Sequence, residues 1–259
     1  MRSTIRATVI AAVLAIGAAM AATAGASQTV VLHTSFSPER LGASTTIGFG
    51  FEIANSEGGL PSPLRSVSLK LPAGMNYLST TLGLAICQPA ALLARGIAGC
   101  PANSRLGFGS AFVEVPFGQD AGHEIPRIDA VMGPPHNGNI VVLFYADGRE
   151  PVYAQVVFAG ELIEGSETLG GSLNAAIPLI PSVTAGPPVS IVRVSTTIGP
   201  AHLIYYRRVH GRRVSFHPVG ASLPPHCPHG GFRFSAVFSF EDGTSTSANS
   251  TVPCPRRKR

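Results

Sequence analysis

The strictest pattern in the sequence lies near its C-terminus, where Phe232, Phe234, Ala236, Phe238 and Phe240 alternate with Arg233, Ser235, Val237 and Ser239. Successive side chains of an extended strand point to opposite faces, so bulky apolar residues on one phase of a two-residue period specify a strand with one buried face. Asp242-Gly243 supplies a turn, and Thr244 to Val252 returns as a Ser/Thr-rich strand, which makes the pair a hairpin. A chain whose clearest element is a one-sided hairpin needs more sheet to cover that side.

The rest of the chain offers it. Thr29 to Phe36, Thr45 to Ala54 and Arg65 to Leu71 alternate in the same way, and Gly107 to Phe117 resumes the pattern. Asn139 to Tyr145 and Val152 to Phe158 are nearly continuous apolar runs around the turn signal Ala146-Asp147-Gly148, so at least one of these strands is buried on both faces. Leu173 to Ile180, Val189 to Ile198, and a hairpin of Leu203 to Val209 with Arg212 to Val219 continue the series. About a dozen strands predict an all-β chain, expected as an antiparallel β-sandwich of immunoglobulin-like or jelly-roll-like form. The one helix expected is Pro89 to Arg95, with Pro at its start and Gly96 as its stop. If the body divides into two β subdomains, the Gly/Ser-rich stretch 165–171 is where it would do so.

The four cysteines, Cys87, Cys100, Cys227 and Cys254, allow three pairings. The C-terminal hairpin returns Cys254 to the neighbourhood of Cys227, which favours the local pairing and leaves Cys87 to bridge Cys100 around the helix. An even number of cysteines suits an oxidising compartment. The N-terminus points the same way. Arg2 and Arg6 precede an apolar run from Ala7 to Ala24, followed by small residues at Gly25 and Ala26, the layout of a signal peptide over 1–26 cleaved before Ser27. The alternative is a membrane-spanning helix, but the run is built largely of weakly apolar alanine.

The formal net charge of +5 belongs to the two ends. Removing the leader and the basic tail 256–259 leaves a body, 27–255, close to neutrality, so the chain lacks the distributed basic surface of a nucleic-acid binder. No further membrane span is expected in the mature chain.

Catalytic motifs are missing in their complete forms. No G-x-S-x-G elbow occurs, and Gly107-Phe108-Gly109 does not sit between a strand and a helix as a phosphate-binding loop requires. Glu161, Glu164 and Glu167 cluster as paired glycosidase carboxylates would, but within a loop-like connection. Five of the eight histidines, His202, His210, His217, His226 and His229, fall near Cys227 without a familiar zinc spacing; no metal and no cofactor are expected. The hairpin around His210-Gly211 is the most suggestive feature. Its pairing sets Arg208 against Arg213, a like-charge contact that an anionic ligand would relieve, with Arg207 and Arg212 beside it and Tyr205 or Tyr206 available to stack on a sugar ring.

Two groups of residues stand out together. Leu71-Pro72-Ala73-Gly74, Cys87, Cys100-Pro101, Ser104 and Gly107 form one; Cys227-Pro228, Gly230-Gly231-Phe232, Phe238, Phe240, Asp242-Gly243 and Val252-Pro253-Cys254-Pro255 form the other. Together they resemble a group of uncharacterised secreted β-rich proteins of actinobacteria, over most of the mature chain. The resemblance implies export and a β-rich fold and supplies no catalytic residues. The sequence thus leads to an expectation of an exported, non-catalytic protein, secreted or held at the cell surface, that binds an anionic cell-envelope polymer or a surface protein. The alternatives are a hydrolase of envelope polysaccharide and a structural component of a surface layer.

Overall fold

The computed structural model describes residues 28–77, 85–118, 120–165, 170–199, 204–216 and 221–255. The expected leader, the basic tail, Glu167, His202 and His217 lie outside the described residues. The strands are β1 (Gln28–Ser37), β2 (Ser44–Asn55), β3 (Leu64–Lys70), β4 (Asn76–Tyr77), β5 (Arg105–Phe117), β6 (Asp120–Glu124), β7 (Arg127–Met132) and β8 (Ile140–Gly148). They continue as β9 (Ala154–Ile163), β10 (Ser172–Ala176), β11 (Ser190–Ile198), β12 (Tyr205–Val209), β13 (Arg212–Phe216), β14 (Ala221–Ser222), β15 (Phe232–Phe240) and β16 (Ser245–Val252). The helix α1 spans Pro89–Arg95, as its Pro and Gly punctuation predicts.

The all-β, antiparallel class holds, but the strands do not separate into two packed sheets. They form one 14-stranded sheet in the order β16-β15-β3-β10-β9-β8-β7-β5-β11-β2-β14-β4, with β1 on β2 and β6 on β5, while β12 and β13 pair only with each other. The long sheet curls until β1 lies against β16. Thr34 Oγ1 donates to Ser250 Oγ at 2.8 Å and Thr246 Oγ1 donates to the Gln28 carbonyl at 2.6 Å. The result is a nearly closed barrel. Its seam joins two strands running in the same direction, which follows from the registers around the ring. Alternation alone cannot distinguish this curled sheet from a sandwich, because both bury one face of every strand. Glycines help the curl: a Cβ on Gly107 or Gly109 of β5 would come within 2.1 or 2.2 Å of a β11 carbonyl oxygen, so only glycine permits the two strands to approach as they do.

Inside, the barrel is filled unevenly. On the side of β1, β2, β15 and β16, Phe36 packs edge-on against Phe232 with centroids 5.2 Å apart, and Phe51 against Phe238 at 5.0 Å. Phe232, Phe234 and Phe238 are fully buried. A second, smaller core lies outside the barrel, where Leu92 of α1, Cys87 and Ile97 cover Val131, Leu143 and Tyr145. Ile140 to Tyr145 are therefore buried on both faces, which explains the continuous apolar run of β8. Cys87 is bridged to Cys100 and Cys227 to Cys254, the local pairing.

Three readings of extent differ from the sequence. The strands β6 and β7 are too short and irregular to announce themselves. The turn after β8 falls at 149–153 rather than at Ala146-Asp147-Gly148. The run Leu173 to Ile180 leaves the sheet after Ala176. Pro178 and Pro181 carry no amide hydrogen for a ladder, and the chain from 177 to 189 instead crosses one end of the barrel from β10 to β11. Ile177 donates its amide to the Arg65 carbonyl at 2.7 Å and Val189 to the Ile180 carbonyl at 2.8 Å.

The phenylalanine side should dominate stability. Phe238→Ala is expected to cost about 3–5 kcal/mol in urea unfolding. Val237→Ser, at the adjacent outward position that is 40% exposed, should stay within about 0.5 kcal/mol. Equal costs would contradict the one-sided packing.

Candidate functional site

A ring of more than about eight strands is wider than ordinary side chains fill. Here the cluster of Phe36, Phe51, Phe232, Phe234 and Phe238 fills one side, and the opposite side stays partly hollow. A partly open cavity of about 220 Å³ lies there, walled by β3, β5, β7, β8, β9, β10, β11 and part of β2. The strands explain the hollow. Inward positions that would fill it carry small residues, Ala111 on β5, Ala146 on β8 and Ala175 on β10. The surrounding walls are Phe49, Val67, Val113, Val142, Phe158, Leu173 and Val194. Several of these, including Phe49, Phe158, Leu173 and Val194, are only partly buried despite facing inward.

Two features define the ends. At one, the crossing segment brings Ile177, Pro178, Leu179, Ile180 and Val189 onto the cavity, so an apolar strap lies over that end. At the other, the cavity is lined by Leu106 at the start of β5, Ile198 and Gly199 at the end of β11, and Ala221 of β14. The hairpin β12–β13 is inserted between Gly199 and Ala221 and so belongs to this second end.

The lining is chemically uniform. Thr196 carries its one polar side chain, and that hydroxyl donates to the Phe49 carbonyl at 2.9 Å. Among the described residues no acidic or basic side chain lines the space, so the cavity offers hydrocarbon contact. It is larger than the roughly 150 Å³ apolar cavity that stays dry and takes up benzene or xenon.

The residues singled out from sequence lie elsewhere. The hairpin has the expected register, Arg208 opposite Arg213 and Val209 opposite Arg212, with positive φ at His210 and Gly211. Tyr205 and Tyr206 have different positions. Tyr205 is buried, its hydroxyl donates to the Arg105 carbonyl, its ring meets Phe216 edge-on at 6.0 Å, and burial pushes its pKa up to about 12. It anchors the hairpin to β5. Tyr206 is exposed, with the Arg213 guanidinium 3.8 Å from its ring centroid, and Arg207 lies 5.3 Å over Phe216. Arg208 and Arg212 are exposed.

Glu161 points outward from β9. It accepts a hydrogen bond from Asn139 at 2.7 Å and lies 3.3 Å from His136 Nδ1, and these hold its carboxyl below the usual range. A carboxyl so held stays ionised rather than serving as an acid. Glu164 is exposed. Among the described residues no three His, Cys, Asp or Glu side chains gather as a metal site, and His226 and His229 flank a cysteine already bridged to Cys254.

One buried carboxyl escaped sequence reading. Glu124, at the end of β6, sits against Gly148, and burial raises its pKa although the amides of Arg149, Glu150 and Val152 oppose that shift. A folded-state carboxyl with a raised pKa favours the protonated form, so its contribution is most favourable below the ordinary value of 4.5 and is lost as pH rises through the folded value. Glu124→Gln should therefore stabilise the protein at pH 7, with the gain shrinking as pH falls through the raised folded value and vanishing near 4.5. Urea midpoints of both proteins across that range check the sign.

Comparison with protein-family models, with curated proteins and with solved structures finds no match.

Proposed function

We propose that the protein is an exported, non-catalytic β-barrel carrier that holds the hydrocarbon part of a lipid in the hollow side of its barrel. The cavity carries this reading: a hollow whose described walls offer almost nothing but hydrocarbon favours apolar matter. The bridged cysteines, the leader-like N-terminus and the resemblance to secreted actinobacterial proteins support export. Outward residues of β16, Ser245, Ser247, Asn249 and Thr251, are exposed and polar, which suits a barrel in water; a membrane-embedded barrel shows an apolar band to lipid. Among the described residues no helix is long and apolar enough to cross a membrane.

Other readings have weaker support. Binding of an anionic envelope polymer rests on the hairpin arginines alone, and a polysaccharide hydrolase would need carboxylates that face each other across a cleft. Assembly into a surface layer draws on the apolar strands, but most of their bulk points into the barrel or lies beneath α1, and the exposed apolar residues Val31, Phe108, Ile163 and Val237 are spread over different strands. The immunoglobulin-like or jelly-roll form of the sandwich reading gives way to a nearly closed barrel.

Binding of a fluorescent fatty acid to the chain from Ser27 tests the carrier reading. Wild type should bind it saturably, and Ala175→Phe, which puts a ring into the hollow, should weaken binding by at least about tenfold while, as a cavity-filling change, leaving the melting temperature no lower. No saturable binding by wild type, or unchanged binding by the variant, refutes the reading.

A further inference from the structure

We infer that the hairpin β12–β13 is a docking arm that sets the cavity-bearing end of the barrel onto an anionic lipid surface. The inference rests on the carrier reading and adds the source of the ligand. Position comes first: the hairpin emerges between Gly199 and Ala221, both on the cavity wall, at the end opposite the strap. Among the described residues it pairs with no strand of the barrel, and its buried anchor is Tyr205 on the Arg105 carbonyl. A small ribbon held at its base and free along its length presents both faces outward.

Charge comes second. Between Ile204 and Phe216 there are four arginines and no acidic residue, while the body as a whole is close to neutral, so the positive charge is concentrated where the barrel's second end lies. The register sets Arg208 opposite Arg213, a repulsion that phosphate groups would offset. Arginine suits such groups because its planar fork offers paired donors.

Exposed apolar residues come third. Ile204, Tyr206, Val209 and Val214 are exposed on the same ribbon. An arm reading only a soluble polyanion gains nothing from aliphatic side chains in water, whereas a bilayer interface accepts them beside basic residues and favours tyrosine at headgroup depth. Arg213 lying over Tyr206 places cation and ring together, as an interface requires. The occupant is therefore a bilayer surface bearing phosphate headgroups.

Flotation with vesicles tests this. The chain from Ser27 to Arg259 should float with vesicles of phosphatidylcholine mixed with phosphatidylglycerol and should not float with phosphatidylcholine alone. Replacing Arg207, Arg208, Arg212 and Arg213 together by Ser should reduce flotation by at least about tenfold, while a chain in which the tail arginines and Lys258 become Ser should float as wild type does. The hairpin variant should bind dispersed fluorescent fatty acid normally but extract it from anionic vesicles at least about tenfold more slowly, which separates loss of docking from loss of the cavity. Unchanged flotation of the hairpin variant overturns the inference. So does wild-type binding to dextran sulfate without flotation, which would assign the arm to a soluble polyanion. Absence of fatty-acid binding with intact flotation would refute the carrier reading and leave the docking arm standing.

Discussion

The seam between β1 and β16 holds the structure in its barrel form. Around the ring the strands alternate in direction until the two ends of the path meet, and there they run the same way. The described contacts across that junction include hydroxyl bonds from Thr34 and Thr246, and beneath them Phe36 of β1 lies against Phe232 and Phe234 of β15. The polar bonds set the alignment of the edges, and the aromatic contacts supply most of the attraction, since a buried phenylalanine outweighs a neutral hydrogen bond. Without this closure the inner faces of β3, β9 and β11 would open to water and the hollow would have no far wall.

The uneven filling follows from how the aromatics pack. Phe36, Phe51, Phe232, Phe234 and Phe238 pack together on β1, β2 and β15, whereas across the interior the stacked pair Phe144 and Phe158 stands among Ala111, Ala146 and Ala175. A barrel of this circumference filled uniformly by phenylalanine would hold nothing, and one lined throughout by alanine would lose much of its core. Concentrating bulk on one side keeps stability and vacancy in separate parts of one sheet.

Much of the local structure was legible because it is set by neighbours in sequence. The alternation of β15, the Pro and Gly bounding α1, the His210-Gly211 turn and the pairing of Cys227 with Cys254 all express short-range geometry. Barrel closure was not legible, since Thr34 and Ser250 say nothing of each other until the sheet curls. The cavity was hidden for a related reason: Val67, Leu173 and Val194 read as core residues, and only the width of the ring leaves them partly uncovered. Ile177 to Ile180 looked like more strand because their apolar character is real, but Pro178 and Pro181 were the available sign that the segment departs from the ladder. Arg208 facing Arg213 could be read from the turn, whereas Tyr205 and Tyr206 could not be assigned to anchor and surface without knowing where β5 begins.

The contact between Thr34 and Ser250 joins residues 216 positions apart in sequence. Most neighbouring strands can pair while the chain is still being made, but this junction must await nearly the last residues synthesised. The loop entropy of such a distant contact is met only at the end, and folds dominated by distant pairings form slowly. Until β15 and β16 are complete, Phe36 lacks its partners and the open sheet shows its greasy inner face to whatever surrounds it. Closure of the hollow therefore arrives in a late step, once β15 and β16 are both present, rather than growing strand by strand.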